Sequence, residues 1–512
     1  MRMETTLRVG LLGCGNVGGA LVRLLVEDVD RIAARTGLRL ELAAVAVRSQ
    51  SRERDAPVPA GLLTSDVNAV VSDPGVDIVV EVIGGIEPAR TLILTALKAG
   101  KPVVTANKEL LANCGAELFE AASTAGVDLL FESSVAGAIP LIRPLRESLA
   151  GERIRRIMGI VNGTTNFILT RMSESNTTYH DALAEAQSLG YAERDPTADV
   201  EGYDAAAKAA ILANVAFGAR VVAGDVYREG ISAITAADIA AARQLGYAVK
   251  LLAIVEHIER AAGSADGTGP SSAGGPGSAG GPGSAGGPGS ADGTGSGRPA
   301  PSVATDAEAL AVRVHPAMVP LTHPLAAVRD SFNAVFVEGD AVGELMFLGR
   351  GAGGMPTASA VLGDLLDAAH NLTTGGAGRS ATLRSVEITP IDDLQSAYYL
   401  TLQVADRPGV LHAVSGVLGD HRVSIRLMEQ EGIPSGTAPA GSTSGSAGVA
   451  ARGLAGDPGA LVPSGRRPGE SGARLVFVTH PAYERDVQAC LHDLRQLDVV
   501  ERIGGLLRVV GP

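Results

Sequence analysis

The sequence predicts an α/β protein in three parts: a doubly wound parallel sheet at the N-terminus, an α+β segment in the middle, and a βαββαβ unit at the C-terminus. Three observations carry this expectation. Through residues 1–150 short apolar runs alternate with helical segments. From 151 to 390 strand and helix signals mix less regularly. From 394 to 512 the order strand, helix, strand occurs twice, on either side of a stretch rich in Gly, Ser, Ala and Pro. A chain of 512 residues accommodates three such units, and a 46% hydrophobic content fills their cores. Trp is absent and aromatics are 3%, so those cores are built from Ala, Val, Leu and Ile.

The elements follow in order. LRVGLLG (7–13) is an apolar strand, and a helix begins near Val17. LELAAVAV (40–47) is a second strand. VDIVVEVIG (76–84), KPVVTAN (101–107) and VDLLFESSV (127–135) are further apolar runs that end in polar residues or glycine, with helices such as RTLILTALKAG (90–100) between them. YYLTLQVADRPGVLHAVSGVLGDHRVSIRLMEQE (398–431) reads strand, helix, strand. ARLVFVTHP (473–481), an acidic-start helix and VVERIGGLLRVV (499–510) complete the βαββαβ unit. The two low-complexity stretches, about 263–302 and 434–473, cannot bury enough surface to offset chain entropy and are expected to be flexible. Each lies between strand-like segments, so both read as long hairpin-loop insertions.

Bulk properties exclude several classes. A net charge of −13 with no extended basic run argues against nucleic-acid binding. The N-terminus resembles a signal peptide only superficially, because Glu4 and the central glycines favour a folded strand-turn-helix. The apolar stretch 205–224 contains Lys208 and Arg220 and is too interrupted to span a membrane. Cys14, Cys114 and Cys490 are too far apart for a metal motif or a disulfide framework, as expected of a cytoplasmic protein.

Gly13, Cys14, Gly15, Asn16, Val17 and Gly18 form G-x-G-x-x-G between the first strand and its helix. In that position Gly13 allows the tight turn, Gly15 admits a pyrophosphate to the backbone, and Gly18 lets helix and strand pack closely. The expectation is a Rossmann-type dinucleotide site, although a glycine-rich turn without a ligand carries the same residues. The second strand ends at Arg48, with Arg52 and Arg54 nearby, where an NAD-preferring site usually has an acidic residue. A guanidinium there suits a 2′-phosphate, so NADP(H) is expected to be preferred, with NAD(H) as the alternative. A solvated basic loop is the other reading of these arginines.

Lys108 follows the strand at 101–105, on the edge of an open α/β sheet where ligands bind. From position alone it serves equally well as a surface lysine opening a helix. GYAERDPTADVEGYDAAAK (190–208) crowds Glu193, Asp195, Asp199, Glu201 and Asp204 onto a loop broken by Pro196 and Gly202. Asp204 and Lys208 then share a helical face at i,i+4. Most such pairs are exposed and weak, but AAILANVAF is apolar on almost every side, and a lysine heading a buried helix must be paired or functional. The acids either hold it protonated or bind a substrate ammonium. Glu132 to Pro140, Asn162 to Asn166 and Gly349 to Gly354 are further polar or glycine-rich turns that together suggest one pocket rim.

GLLGCGNVG, VVEVIGGIEPAR, VVTANKELLA, FESSVAGAIPLI, GIVNGTTNFIL, GYAERDPTADVEGYDAAAKAAILA and GAGGMPTASAVLGD together resemble homoserine dehydrogenase, over nearly the whole chain outside the two low-complexity stretches. The DRPGVL turn resembles that of an ACT domain, a ferredoxin-like amino-acid-sensing module. The resemblance implies an NAD(P)-binding domain at 1–150, a catalytic and dimerisation domain at 151–390 and an ACT domain at 394–512. It implies reversible NADPH-dependent reduction of L-aspartate 4-semialdehyde to L-homoserine, inhibition by threonine, and a homodimer or homotetramer. It implies Lys208 as proton donor, with Lys108 beside cofactor and substrate. It implies Glu193, Asp204 and Asp199 as substrate-binding residues, and Gly13, Gly15, Asn16, Val17, Gly18, Arg48, Lys108, Gly190 and Gly351 as cofactor contacts. A sodium ion at Glu132, Val135, Gly137 and Ile139, held by a carboxylate plus backbone oxygens, is also implied. Asn16 and the pair Arg48-Ser49 depart from the family's usual residues.

Overall fold

The computed structural model describes residues 5–258, 309–376, 383–433 and 472–511. The low-complexity stretches lie outside these residues, apart from Gly472 and Ala473, which open a strand.

The N-terminal sheet comprises β1 (Thr5–Leu12), β2 (Leu38–Ala46), β3 (Leu63–Thr64), β4 (Ile78–Glu81), β5 (Val103–Thr105) and β6 (Leu129–Leu130). All its pairs are parallel, in the order β3-β2-β1-β4-β5-β6. The chain reverses direction of travel between β1 and β4, which opens a crevice at the carboxyl ends of those strands. β4 and β5 are wholly buried, so their sequences read as unbroken apolar runs. Alternation assigns the two faces: Ile78, Val80 and Val104 meet one core, and Val79 and Val103 meet the other. The first core also contains Leu21, Val22 and Leu25 of the helix Asn16–Glu27. Its remaining cover is the helix Gly354–Thr374, through Ala358, Val361, Leu365, Ala368 and Ala369. A segment far along the chain thus completes the N-terminal layer.

The second sheet begins with β7 (Ile154–Ile160), β8 (Tyr227–Arg228), β9 (Tyr247–Ile258), β10 (Ala309–Pro320), β11 (Phe332–Gly339), β12 (Gly343–Arg350) and β13 (Glu387–Ile388). It continues through β14 (Gln395–Ala405), β15 (Ile425–Ile433), β16 (Gly472–Thr479), β17 (Ala482–Tyr483) and β18 (Val500–Val509). The main order is β12-β11-β7-β9-β10-β18-β14-β16-β15. β9 and β10 pair antiparallel, with Ile258 opposite Ala309, and β15 and β16 pair with Ile433 opposite Gly472. Both low-complexity stretches therefore interrupt antiparallel strand pairs. β14, β15, β16 and β18, with the helices Val410–Asp420 and Glu484–Leu494, form the βαββαβ unit around its own core. β18 also pairs parallel with β10 through Ala317 opposite Arg508 and Met318 opposite Val509. That contact makes one continuous sheet of two units that the sequence presents as separate.

The helix Tyr203–Phe217 is buried on nearly every side and lies between the helix Lys108–Ala125 and strands β9 and β10. Its seven alanines favour the helix and leave room for close approach on all faces. Among the described residues no helix is long and apolar enough to cross a membrane.

Candidate active site

At the end of β1 the amide of Gly13 donates to the Ala46 carbonyl at 2.9 Å. Gly13 has φ +102°, and a Cβ there would lie 2.9 Å from the Val82 carbonyl oxygen, so only glycine fits. Gly15 precedes the helix Asn16–Glu27, has open space where a side chain would stand, and supplies no side-chain cap. The first-turn amides of Asn16, Val17 and Gly18 are therefore available to an anion, which fits a dinucleotide pyrophosphate. Arg48 is exposed just beyond β2, and no hydrogen bond or ion pair involves its guanidinium among the described residues. Gly190 (φ +77°) is exposed after the helix Tyr179–Ser188.

The lysines meet on one carboxylate. Asn107 caps the helix Lys108–Ala125 by accepting from the Leu110 amide at 3.1 Å, which fixes Lys108 at the carboxyl end of β5. The Lys108 ammonium donates to Asp204 Oδ1, across 96 residues of sequence. Lys208 Nζ donates to Asp204 Oδ2 at 2.7 Å and to the Val161 carbonyl at 2.5 Å. Asp204 stands in the first turn of its helix, where the backbone amides favour negative charge. Asn162 Nδ2 donates to Asp204 at 2.8 Å and to Asp199 at 2.7 Å, while its Oδ1 caps the helix Gly163–Ser175. Of the three protons on Lys208 Nζ, two are used and one remains for a ligand.

Burial raises the Asp204 carboxyl, but Lys208 and Lys108 outweigh it and hold the group well below the usual carboxylate range. Burial pushes the Lys208 ammonium down from the ordinary lysine range, against the pull of Asp204. Burial also lowers Lys108, but Asp204 reverses this and leaves it raised. Asp199 is raised by burial, opposed by the hydrogen bond from Asn162. The result is a permanently charged aspartate beside an ammonium that gives up its proton more readily than a free lysine does.

The five acids of 190–208 divide. Asp199 and Asp204 enter the lysine cluster. Asp195 caps the amide of Thr197 at 3.1 Å, opening a four-residue helix, Thr197–Val200, where the sequence suggested only loop. Glu201 packs beside Gly230. Glu193 is exposed, and its carboxylate makes no hydrogen bond or ion pair among the described residues.

The turns interlock. A Cβ on Gly137 would lie 2.3 Å from the Gly351 carbonyl oxygen, and Ala138 donates to the Arg350 carbonyl at 3.2 Å. A Cβ on Gly354 would lie 3.0 Å from the Asn16 carbonyl oxygen, so the second glycine cluster abuts the first. Glu132 turns its carboxylate onto the amides of Leu141, Ile142 (2.7 Å) and Arg143 (2.8 Å), the start of the helix Ile142–Arg146. Oε2, which among the described residues accepts only from Arg143, and the main-chain carbonyl remain able to face a cation. No hydrogen bond among the described residues reaches the carbonyls of Val135, Gly137 or Ile139, all in buried residues. Such oxygens fit a hard cation, although no group of three or more His, Cys, Asp or Glu side chains could hold a metal among the described residues. Sequence reasoning missed the roles of Asn162 and Val161. Only Asn162 carried a signal, as part of a polar turn.

A dinucleotide-binding crevice whose edge carries two lysines on a shared aspartate defines a nicotinamide-dependent oxidoreductase. Residues 13–132 match the model for the homoserine dehydrogenase NAD binding domain, 140–366 the model for homoserine dehydrogenase, and 398–443 the model for the ACT domain. Homoserine dehydrogenase of Mycobacterium tuberculosis is 44% identical over 509 residues, covering 99% of this chain and 98% of its own. That of Corynebacterium glutamicum is 43% identical over 502 residues, covering 98% and 95%. The crystal structure of a homoserine dehydrogenase from Thiobacillus denitrificans matches with a TM-score of 0.77 at 35% identity, over 99% of this chain and 98% of that one. A hyperthermophilic archaeal homoserine dehydrogenase in complex with NADPH matches with a TM-score of 0.53 at 26% identity, over 73% and 100%. The chain belongs to the homoserine dehydrogenase family and carries that family's NAD(P)-binding domain and an ACT domain.

Proposed function

We propose that this enzyme reversibly reduces L-aspartate 4-semialdehyde to L-homoserine, on the route to threonine, methionine and isoleucine, with Lys208 as the proton donor. The observation that carries this is the meeting of Lys208 and Lys108 on Asp204 at the cofactor edge. Bound nicotinamide supplies the hydride. The remaining Nζ proton of Lys208 is donated to the aldehyde oxygen as negative charge grows there, and a single such donor is worth about 3–4 kcal/mol of transition-state stabilisation. Asp204 and Lys108 keep the site charge-balanced when Lys208 becomes neutral. Asp199 and Glu193 are the residues for the substrate ammonium, with Asp204 orienting both lysines.

NADPH is the preferred coenzyme in this reading, because Arg48 offers an exposed guanidinium where a ribose 2′-phosphate would lie, and an archaeal relative is known in complex with NADPH. Gly13, Gly15, Asn16, Val17, Gly18, Gly190 and Gly351 line the remaining cofactor path. A sodium ion would take the carboxylate of Glu132 and the carbonyls of Val135, Gly137 and Ile139 and stiffen the loop locked against Gly351. Residues 1–150, 151–390 and 394–512 serve as the cofactor, catalytic and regulatory parts of a cytoplasmic homodimer or homotetramer. Threonine restrains turnover through the last of these, a reading supported by the direct β18–β10 pairing. The test is a steady-state assay with aspartate semialdehyde, NADPH and NADH side by side, with and without threonine. Turnover with neither coenzyme overturns the activity, faster turnover with NADH overturns the preference, and indifference to millimolar threonine overturns the regulation.

A further inference from the structure

We infer that Asn333 is a positioning residue for Lys208, acting through the main-chain carbonyl of Val161. This rests on Lys208 being the proton donor. Val161 lies one residue beyond β7, past the last registered pair with β11, Ile160 opposite Ala334. The sheet therefore does not hold its carbonyl. Two side chains do: Lys208 Nζ at 2.5 Å and Asn333 Nδ2 at 3.1 Å. Between them they use both lone pairs of that oxygen.

The orientation of the Asn333 carboxamide follows, since only its NH2 end can face a carbonyl oxygen. Its Oδ1 points the other way, is buried, and has no hydrogen-bond partner among the described residues. A buried amide with an unfilled acceptor is a costly choice at a strand position where an aliphatic residue would pack. Gly351 lies against the carboxamide itself, where a Cβ would lie 2.0 Å from Nδ2, 2.1 Å from Cγ and 2.4 Å from Oδ1. Asn333 thus fills the gap between the glycine loop and the Val161 carbonyl, and fixes where the Lys208 ammonium stands. The charged groups around that ammonium are Asp204, Lys108 and Asp199, none of which touches Asn333 by any hydrogen bond in the structure.

The test compares Asn333→Ala with Asn333→Leu, which refills the space but cannot donate. Each variant is first checked for a wild-type melting transition and NADPH binding. Both are expected to lower kcat for semialdehyde reduction by roughly tenfold to a hundredfold, the cost of a misplaced catalytic group, with KM nearly unchanged. In the alanine variant the alkaline limb of the kcat profile should move to higher pH, as the loosened ammonium regains water. Restoration of wild-type kcat by leucine, or an alkaline limb that stays in place in the alanine variant, overturns the proposal. If alanine fails to fold, the leucine variant alone decides. Lys208→Ala is measured in parallel. If it is inactive while the Asn333 variants behave as wild type, only the positioning role falls, and if it is active, the proton-donor reading falls and this inference with it.

Discussion

Replacing Asp204 with asparagine keeps the shape of the site and removes its one shared negative charge. Asp204 is buried and accepts from Lys208 at 2.7 Å, from Asn162 at 2.8 Å and from Lys108. Breaking a buried pair on one side costs about 3–5 kcal/mol if the orphaned ion stays charged. Lys208 has another course, because burial already pushes it down and only Asp204 pulls it strongly back. Giving up its proton spares Lys208 the cost of a bare ammonium in the interior. Asp204→Asn should therefore push the Lys208 ammonium further down and deplete the proton donor. Reduction of semialdehyde, followed as NADPH absorbance, should slow by roughly a hundredfold to a thousandfold. Oxidation of homoserine passes back through the same transition state, so its kcat/KM should fall by the same factor. The stability sign can also be worked out. The folded carboxyl is depressed, so its contribution is complete above the unfolded carboxylate range, near pH 4, and disappears as pH falls toward the folded value. The carboxyl's part of the melting difference between wild type and variant should be complete at neutral pH and shrink in acid. Reduction within about twofold of wild type would refute the reasoning, since one lost donor should cost far more.

Arg48→Ala should raise KM for NADPH about tenfold while leaving NADH nearly unaffected, the loss expected for one guanidinium–phosphate contact. Equal effects on both coenzymes would make Arg48 an ordinary surface residue. Arg508 is buried where β18 meets β10 and bonds Glu229 at 2.8 Å and Glu484 at 2.9 Å. Arg508→Ala leaves both carboxylates without it and should lower stability by about 3–5 kcal/mol, seen as an earlier urea midpoint. An unchanged midpoint would mean that this junction carries no load. Deleting 394–512 also removes β18 from β10, so the truncated enzyme should keep measurable turnover but lose its response to threonine. Retained inhibition would locate the effector elsewhere.

What was legible in the sequence was mostly local. The G-x-G-x-x-G turn is recognised by its place between strand and helix, and Lys208 by its place in an alanine-rich helix one turn after Asp204. The antiparallel pairing around both low-complexity stretches follows from strand signals on either side. Long-range pairings left no such trace. Lys108 could be read as a surface residue because its partner lies 96 positions away. The five acids of 190–208 look equivalent in sequence, yet side-chain direction sends two to the lysines, one to a helix cap, one against Gly230 and one to solvent. Glu132 suggests a metal carboxylate by type, and nothing in that type announces that the same carboxylate also receives three amides of the nearby helix start. The Val161 carbonyl belongs to the backbone and has no residue-type signature. The helix Gly354–Thr374 packs on a sheet formed by residues 5–130, which no local pattern could announce.

The proton-donor role of Lys208 is tested most directly by single-turnover reduction of aspartate semialdehyde by Lys208→Ala preloaded with NADPH. Lys108 remains to pair Asp204, so the site keeps a counter-ion and cofactor binding should be unchanged. The expected result is a rate at least about a thousandfold below wild type at neutral pH, combining the lost acid with the lost charge stabilisation. A rate within about tenfold of wild type, with NADPH bound normally, would contradict the account, because general acid catalysis alone is worth more than that.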